Sequence, residues 1–418
     1  MPITAEENRL LTEVEGDAPM GVLMRENYWI PFARAAGFKA GGPPQRITVL
    51  GKDYAVFRAQ DGRVGFFDEA CPHRGVSLVL ARNEGCAIRC IFHGWKIDVS
   101  GKLLEAPSQP FGAEEFAAGV KIRAYPVREA GQLLWVWLGE AAEPAFPNLP
   151  FFGLPEENLW MTQSFSDCNW LQGVEATIDS VHIGNLHRSW LQVRSQVVGG
   201  NSSLALADTL PPRYEVEPAK YGMRAAALRQ MSDGGDYLRV TEYFMPFVSL
   251  VPASQNSEGV IFITMPISNS RHKVFFGRWA DDRPMEPEDG GTIGTGNFDP
   301  DNYAPLAGGR AANWGQDRAA MDNGHFSGFV KNLLEEDIVV QVSMGPVVDR
   351  TKEQLSAGDV AIVRARRMLL QAIDDFKTGI LPPGSALAGD PEVRRPIDTI
   401  VPPGQSWRDS AEALLAAE

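Results

Sequence analysis

The 418-residue chain is short of metal-binding and crosslinking residues, with four cysteines and six histidines. Four cysteines over this length cannot build a disulfide scaffold, so they read as metal ligands or buried thiols in a reducing compartment. Positive charge is also scarce. Lys and Arg total 39 against 53 Asp and Glu, a formal charge of −14, which excludes a nucleic-acid binder that needs a basic face. No apolar run reaches the roughly 20 residues of a membrane span, so no membrane partner is expected. The stretch "MPITAEENRLL" has neither the basic head nor the apolar centre of a secretory signal, and a cytoplasmic location is expected. What is present, 44% hydrophobic and 22% charged residues, is ordinary for a globular protein of two or three domain-sized units.

Along the chain the texture changes. Residues 1–27 are polar, partly helical, and expected to pack on the later domain. From Tyr28 onward short alternating runs are punctuated at Lys52-Asp53, Asp61-Gly62 and Ser100-Gly101 and close with two strands about Glu129–Gln132. They predict a turn-rich β domain over 28–140. A proline-rich linker over 141–158 leads into a second domain, 159–418. There the spacing predicts helix over 168–191 and strands over 212–280, of lengths suited to one antiparallel sheet. A Gly-, Asp-, Asn- and Pro-rich segment follows over 282–328. Two further helices are predicted in "FVKNLLEEDIVVQVSMG" and "GDVAIVRARRMLLQAIDDFKTG", the second with an Asp359 cap and a Gly379 stop. The fold class expected is α+β.

Two short motifs carry metal chemistry. "CPHRG" supplies Cys71 and His73, and "CIFHGW" supplies Cys90 and His93, with sixteen residues between them. Two thiolates and two imidazoles could hold zinc or an iron–sulfur cluster. A zinc finger groups its cysteines and then its histidines, whereas here each loop offers one of each. That suits a [2Fe–2S] cluster with both cysteines on one iron and both histidines on the other. Gly75 and Gly94 let the loops turn tightly, and Trp95 can shield the cluster. Cys86 and Cys168 fall outside the pattern and read as buried thiols.

The run "CPHRGVSL…CIFHGWKID" closely resembles the Rieske family over about 110 residues. Some 280 residues follow, and they contain "IDSVHIGNLHRSW", with His182 and His187 five apart. On an ideal α-helix that pair is turned by roughly 140°, so a distorted turn near Gly184 is expected to bring the two together. Two histidines and a carboxylate hold mononuclear Fe(II) with positions left open. Asp179, three residues before His182, would crowd the metal if it also ligated.

"NW…E…DSVHIGNLH" resembles the catalytic domain of Rieske non-heme iron oxygenases. The resemblance implies that Asp179 bridges an iron-bound histidine to a cluster histidine of a neighbouring subunit, and that Asn169 sits near the iron. It implies a third ligand at Asp337, with Glu335 and Glu336 as adjacent alternatives. Of the other histidines, His272 is expected at a solvated strand end, while His325 could approach the pocket. Stretches near both ends, "GDAPMGVLMRENYWIPFARA" and "VVQVSMGPVVDRTKEQLSAGDVAIVRARRMLL", look like the phthalate-dioxygenase-like subgroup of oxygenase α chains.

What this subgroup implies is a Rieske β domain inserted in a catalytic domain with a central antiparallel sheet flanked by helices. It further implies a homo-oligomer, a trimer or stacked trimers, that uses O₂ and electrons passed from NAD(P)H by a separate reductase, with or without a ferredoxin. The substrate would be aromatic, foremost an aromatic carboxylic acid, with oxidative O- or N-dealkylation as the alternative. A carboxylate would want an arginine fork, and Arg188, Arg194, Arg213, Arg224 and Arg239 lie near the expected site without one standing out. Thr209 and Leu210 offer no strong anion handle. A Rieske electron carrier without oxygenase activity, and a zinc-stabilised binding protein, are the rival readings.

Overall fold

The computed structural model describes residues 3–192, 211–253, 257–286, 299–386 and 394–417. Arg194, Thr209 and Leu210 lie outside the described residues.

Residues 30–136 form small antiparallel sheets. Gln45–Val49, Lys52–Arg58 and Val64–Asp68 make one meander, and Arg82–Glu84, Ala87–Arg89, Lys96–Asp98 and Leu103–Glu105 make another. A third sheet pairs Ile30–Arg34 with Leu133–Val136 and that strand with Val127–Ala130. The first hairpin turns at Leu50 and Gly51, with Val49 opposite Lys52. Lys52 and Asp53, expected in the turn, open the second strand instead. Both turn residues have positive φ, the geometry of a two-residue hairpin loop, and a leucine there hid the signal.

The second half is built on one antiparallel sheet. Its order is Leu159–Ser166, Arg271–Ala280, Glu258–Ser268, Val248–Pro252, Asp236–Phe244, Gly222–Gln230 and Arg213–Ala219, with Ile397–Val401 also paired to Asp236–Phe244. The helix Trp170–Ile178 packs across its middle strands, and the helix Leu333–Ser343 packs on Trp170–Ile178 and on the edge strand Leu159–Ser166. The N-terminal helices Ala5–Thr12 and Pro19–Asn27 both lie on the long helix Val360–Lys377. The β domain is thus inserted between two parts of one α+β catalytic unit.

Segment 141–158 is not a loose tether. Phe146 stacks on Phe152 and meets Trp29 and Trp135 edge-on, while Phe151 is fully buried. Val360–Lys377 ends at Gly379 in the left-handed region, as expected. Its Asp359 side chain does not cap it but accepts from the N–H and hydroxyl of Ser356.

Candidate metal centres and active site

The two loops of the β domain are copies of one another in hydrogen bonding. The N–H of Cys71 donates to Val76 O at 2.8 Å and that of Gly75 to Cys71 O at 2.8 Å; Cys90 donates to Trp95 O at 2.9 Å and Gly94 to Cys90 O at 3.0 Å. Gly75 and Gly94 have φ of 76° and 73°, a conformation cheap only for glycine, and it closes each loop on itself. The rings of His73 and His93 lie 4.6 Å apart, and Trp95 stacks on His73 at 4.7 Å. Cys71 and Cys90 are buried while both histidines are half-buried. Burial and the adjacent Cys90 thiol push the Cys71 thiol up.

The structure pairs like with like: the Cys71 thiol meets the Cys90 thiol and the His73 ring meets the His93 ring. Two sulfurs on one side and two imidazoles on the other suit a [2Fe–2S] cluster with both cysteines on one iron and both histidines on the other. Cys86, expected to be buried, is exposed, and its thiol lies 3.1 Å from Asp61 Oδ2.

The second constellation forms because the helix breaks. Trp170–Ile178 ends at Asp179, one turn of helix spans Ile183–Leu186, and the chain leaves helical geometry again at His187. Gly184, expected at the distortion, sits inside the single turn. The break falls at 179–181 because its freed backbone groups have other partners. Val181 N–H donates to Asp179 Oδ1 at 2.6 Å, Ser180 N–H donates to the Tyr214 hydroxyl at 2.6 Å, and Arg229 donates to Ser180 O. Tyr214 and Arg229 come from neighbouring sheet strands, so the sheet fixes where the helix stops.

The two imidazoles then converge, with ring centroids 5.0 Å apart. Asp337 Oδ1 lies 3.1 Å from His187 Nε2 and 3.6 Å from His182 Nε2. That oxygen is buried and makes no hydrogen bond, an orphan that a bound cation would satisfy. The far nitrogens are held too. His187 Nδ1 meets Glu336 Oε2 at 2.7 Å, and Glu336 Oε1 accepts from the Ser327 hydroxyl. Burial resists charge on His187, but Asp337 and Glu336 outweigh it and lift the ring to about 9. Positive charge is therefore favoured at this spot, and two imidazoles with one carboxylate suit Fe(II) with open positions.

Asp179 Oδ2 lies 3.4 Å from His182 Nδ1. Burial opposes its ionisation, yet His182 and the amides of Val181 and His182 hold it below the usual carboxylate range. Glu335 turns away toward Lys331. Asn169 does not sit at the metal group. It is fully buried as the N-cap of Trp170–Ile178, accepting from Leu171 N–H and donating to the carbonyls of Thr12 and Asn269, and it does not line the cavity beside the histidines. Its residue type in front of a helix is the signal for a cap.

That cavity has a volume of about 170 Å³ and opens onto Asp179, His182, His187 and Asp337. Its walls are mainly apolar, with Val260, Phe262, Val274 and Phe276 from the sheet and Leu334 and Ile338 from the helix. Arg239 and Arg278 also line it, and both are paired, with Asp398 at 3.0 Å and Glu258 at 2.7 Å. His272 lines it as well. Far from a solvated strand end, it is 1% exposed, because its strand is second in the sheet and covered by Trp170–Ile178. His325 packs near Trp190 and accepts from Gly328 N–H, away from the cavity.

An antiparallel β domain with twin Cys–His loops, joined to a sheet whose helices bring two histidines and an aspartate to an apolar cavity, is the architecture of a Rieske oxygenase α subunit. A Rieske [2Fe-2S] domain model matches residues 28–126 and a LigXa C-terminal domain-like model matches residues 136–417. The chain is 38% identical to the phthalate 4,5-dioxygenase oxygenase subunit of Pseudomonas putida, covering 97% of this chain and 94% of that protein. It is 31% identical to the 3-chlorobenzoate-3,4-dioxygenase oxygenase subunit of Comamonas testosteroni, over 98% of each. It is 26% identical to the 5,5'-dehydrodivanillate O-demethylase oxygenase subunit of a Sphingobium strain, covering 95% of this chain and 87% of that protein. Among solved structures, the oxygenase of the reduced oxygenase–ferredoxin complex of carbazole 1,9a-dioxygenase superposes with a TM-score of 0.55 at 20% identity, covering 86% of this chain and 92% of that chain. The chain belongs to the Rieske non-heme iron oxygenases, among the phthalate-dioxygenase-like α subunits. It is an oxidoreductase and the terminal oxygenase of a multicomponent system, with a [2Fe–2S] cluster, mononuclear iron, O₂ as co-substrate and electrons from a reductase.

Proposed function

We propose that this oxygenase dihydroxylates a single-ring aromatic carboxylic acid. The observation that carries this is the apolar cavity of about 170 Å³ that ends at His182, His187 and Asp337. An apolar cavity of roughly 150 Å³ accepts benzene, so this one suits a single aromatic ring. The relatives named for phthalate and chlorobenzoate supply the carboxylic acid.

In this reading Cys71, His73, Cys90 and His93 hold the cluster, and His182, His187 and Asp337 hold the iron. When bound, the two centres supply electrons and open coordination positions at which O₂ is activated. The remaining work belongs to the chain. Glu336 and Asp179 hold the far nitrogens of the two iron-binding imidazoles, and the phenylalanine-lined walls exclude water and orient the ring. Asp179 also faces the cluster of a neighbouring subunit in a trimer or stacked trimers. A cytoplasmic reductase oxidises NAD(P)H and passes electrons on, with a ferredoxin as one possible carrier, as in the complex of the carbazole enzyme.

The test is turnover of the holoenzyme with a reductase, NADH and a panel of phthalates and substituted benzoates. A cis-diol is expected, and substrate-independent NADH consumption with no oxygenated product would refute the reading. O- or N-dealkylation is the second reading. It is favoured by the pairing of Arg239 and Arg278, which leaves no spare cation for a carboxylate among the described residues lining the cavity. Formaldehyde from aryl methyl ethers or N-methylanilides would select it.

A further inference from the structure

Ser180 stands between Asp179 and Val181, and each of its polar groups is taken by a side chain from the sheet. Its N–H donates to the Tyr214 hydroxyl at 2.6 Å, and Arg229 Nη2 donates to its carbonyl oxygen and, at 3.2 Å, to its own hydroxyl. Tyr214 lies on the strand Arg213–Ala219, opposite Ala227 of the strand Gly222–Gln230. Arg229 is two residues further along that second strand, so the two side chains leave the same face of the sheet as diagonal neighbours.

Stability alone does not account for this clamp. Arg229 is 2% exposed, and its Nη1 is buried without a hydrogen bond. Burial and the nearby Arg239 pull its guanidinium down to about 10. Among the described residues it forms no ion pair, and a charge buried against neutral acceptors costs stability. The buried Arg350 and Arg366 are by contrast both paired with Glu175, at 2.9 and 2.7 Å. What Arg229 and Tyr214 do fix is the short stretch that carries a carboxylate to an imidazole. Asp179 Oδ1 accepts from Val181 N–H at 2.6 Å, and its Oδ2 lies 3.4 Å from His182 Nδ1. Both contacts are made by the residues that flank Ser180.

We infer that Tyr214 and Arg229 are positioning residues: acting through Ser180, they hold the Asp179 carboxylate against His182 and so set how fast an electron crosses between the two metal centres. The electron leaves the reduced [2Fe–2S] cluster of the neighbouring subunit, which is oxidised, and enters the iron site, where O₂ is reduced. Asp179, Tyr214 and Arg229 keep their electron count. This rests on reading Asp179 as the bridge.

The experiment mixes iron-loaded, cluster-reduced enzyme holding phthalate rapidly with O₂ and follows cluster reoxidation by its visible absorption. Tyr214→Phe removes only the acceptor for Ser180 N–H, and Arg229→Met removes the donors to Ser180. Each should slow reoxidation by about 10- to 100-fold, the scale of a misplacement near 1 Å. Arg229→Lys, which keeps a donor for the Ser180 carbonyl, should recover part of the rate. Amide hydrogen exchange over residues 176–183, read in the same proteins, should speed up in Tyr214→Phe and Arg229→Met. Iron content, cluster content and reduction of the cluster by the reductase should match wild type, since no ligand is touched. Unchanged exchange, a wild-type reoxidation rate, or loss of either centre in both variants overturns the positioning role alone. Wild-type reoxidation no faster than that of Asp179→Ala overturns the bridge itself.

Discussion

Three consecutive acids, Glu335, Glu336 and Asp337, do three different things. Neighbouring residues on a helix point about 100° apart, so only one can face the histidine pair. Asp337 does. Glu336 reaches the opposite nitrogen of the same His187, and Glu335 pairs with Lys331. Spelling alone could not separate these roles, since any of the three could have been the ligand. Glu336→Gln keeps the shape but weakens the acceptor that orients His187. It should reduce iron affinity by about 10- to 100-fold, read as iron retained after dialysis against a graded chelator. Unchanged retention would deny Glu336 that role. Asp179→Ala is expected to leave both centres loaded yet nearly stop turnover. It removes the contact to His182 Nδ1 without touching the other two members of the triad. Iron and sulfide analysis beside product formation checks this, and normal turnover would refute the bridge.

At the scale of elements, the helix Trp170–Ile178 is the piece that must not move. Glu175 on its buried side receives Arg350 at 2.9 Å and Arg366 at 2.7 Å. Arg350 also reaches Asn8, and Arg366 reaches Glu353. One carboxylate thus ties this helix to the N-terminal helix, the turn Arg350–Lys352 and the long helix Val360–Lys377. Removing it strands the fully buried guanidinium of Arg350 and takes from Arg366 one of its two carboxylates, so Glu175→Ala should cost about 3–5 kcal/mol in urea unfolding. The pH dependence follows in sign. Burial opposes ionisation of Glu175, but the two arginines outweigh it and hold its pKa below 4.5. Its contribution is complete above that value, where folded and unfolded forms are both ionised. It is lost as pH falls through the folded pKa, because the unfolded chain takes up the proton first. The wild-type urea midpoint should therefore drop more between pH 7 and pH 4 than that of Glu175→Gln.

Much at this scale was legible beforehand. The Asp61-Gly62 and Ser100-Gly101 turns, five of the six strands of 213–280 and the helices at 333 and 360 follow from local pattern. Val248–Pro252 and Ile397–Val401 did not, because they are short and defined by the strands they pair with. The break at 179–181 was displaced in the sequence reading for a similar reason. It is set by Tyr214 and Arg229, residues more than 30 positions away.

The whole molecule joins two centres through surfaces that one chain does not cover. Ile91 and Phe92, inside the second cluster loop, are 57% and 51% exposed, beside histidines that are themselves half-buried. Apolar side chains at such a place suit burial against another protein surface. In a closed head-to-tail ring each β domain meets the catalytic part of the next subunit, and Asp179, only partly buried, lies at the cavity end such a neighbour could approach. The proposed transfer between subunits then makes a mixing prediction. Cys71→Ser chains lack a cluster but can load iron, and Asp337→Ala chains can load a cluster but lack iron. Each homo-oligomer should be inactive. After co-expression in equal amounts, random assembly into rings puts an intact cluster before an intact iron site at about one junction in four, so about a quarter of wild-type turnover should return. If electrons pass only within a chain, every hybrid stays inactive, because no single chain then holds both centres.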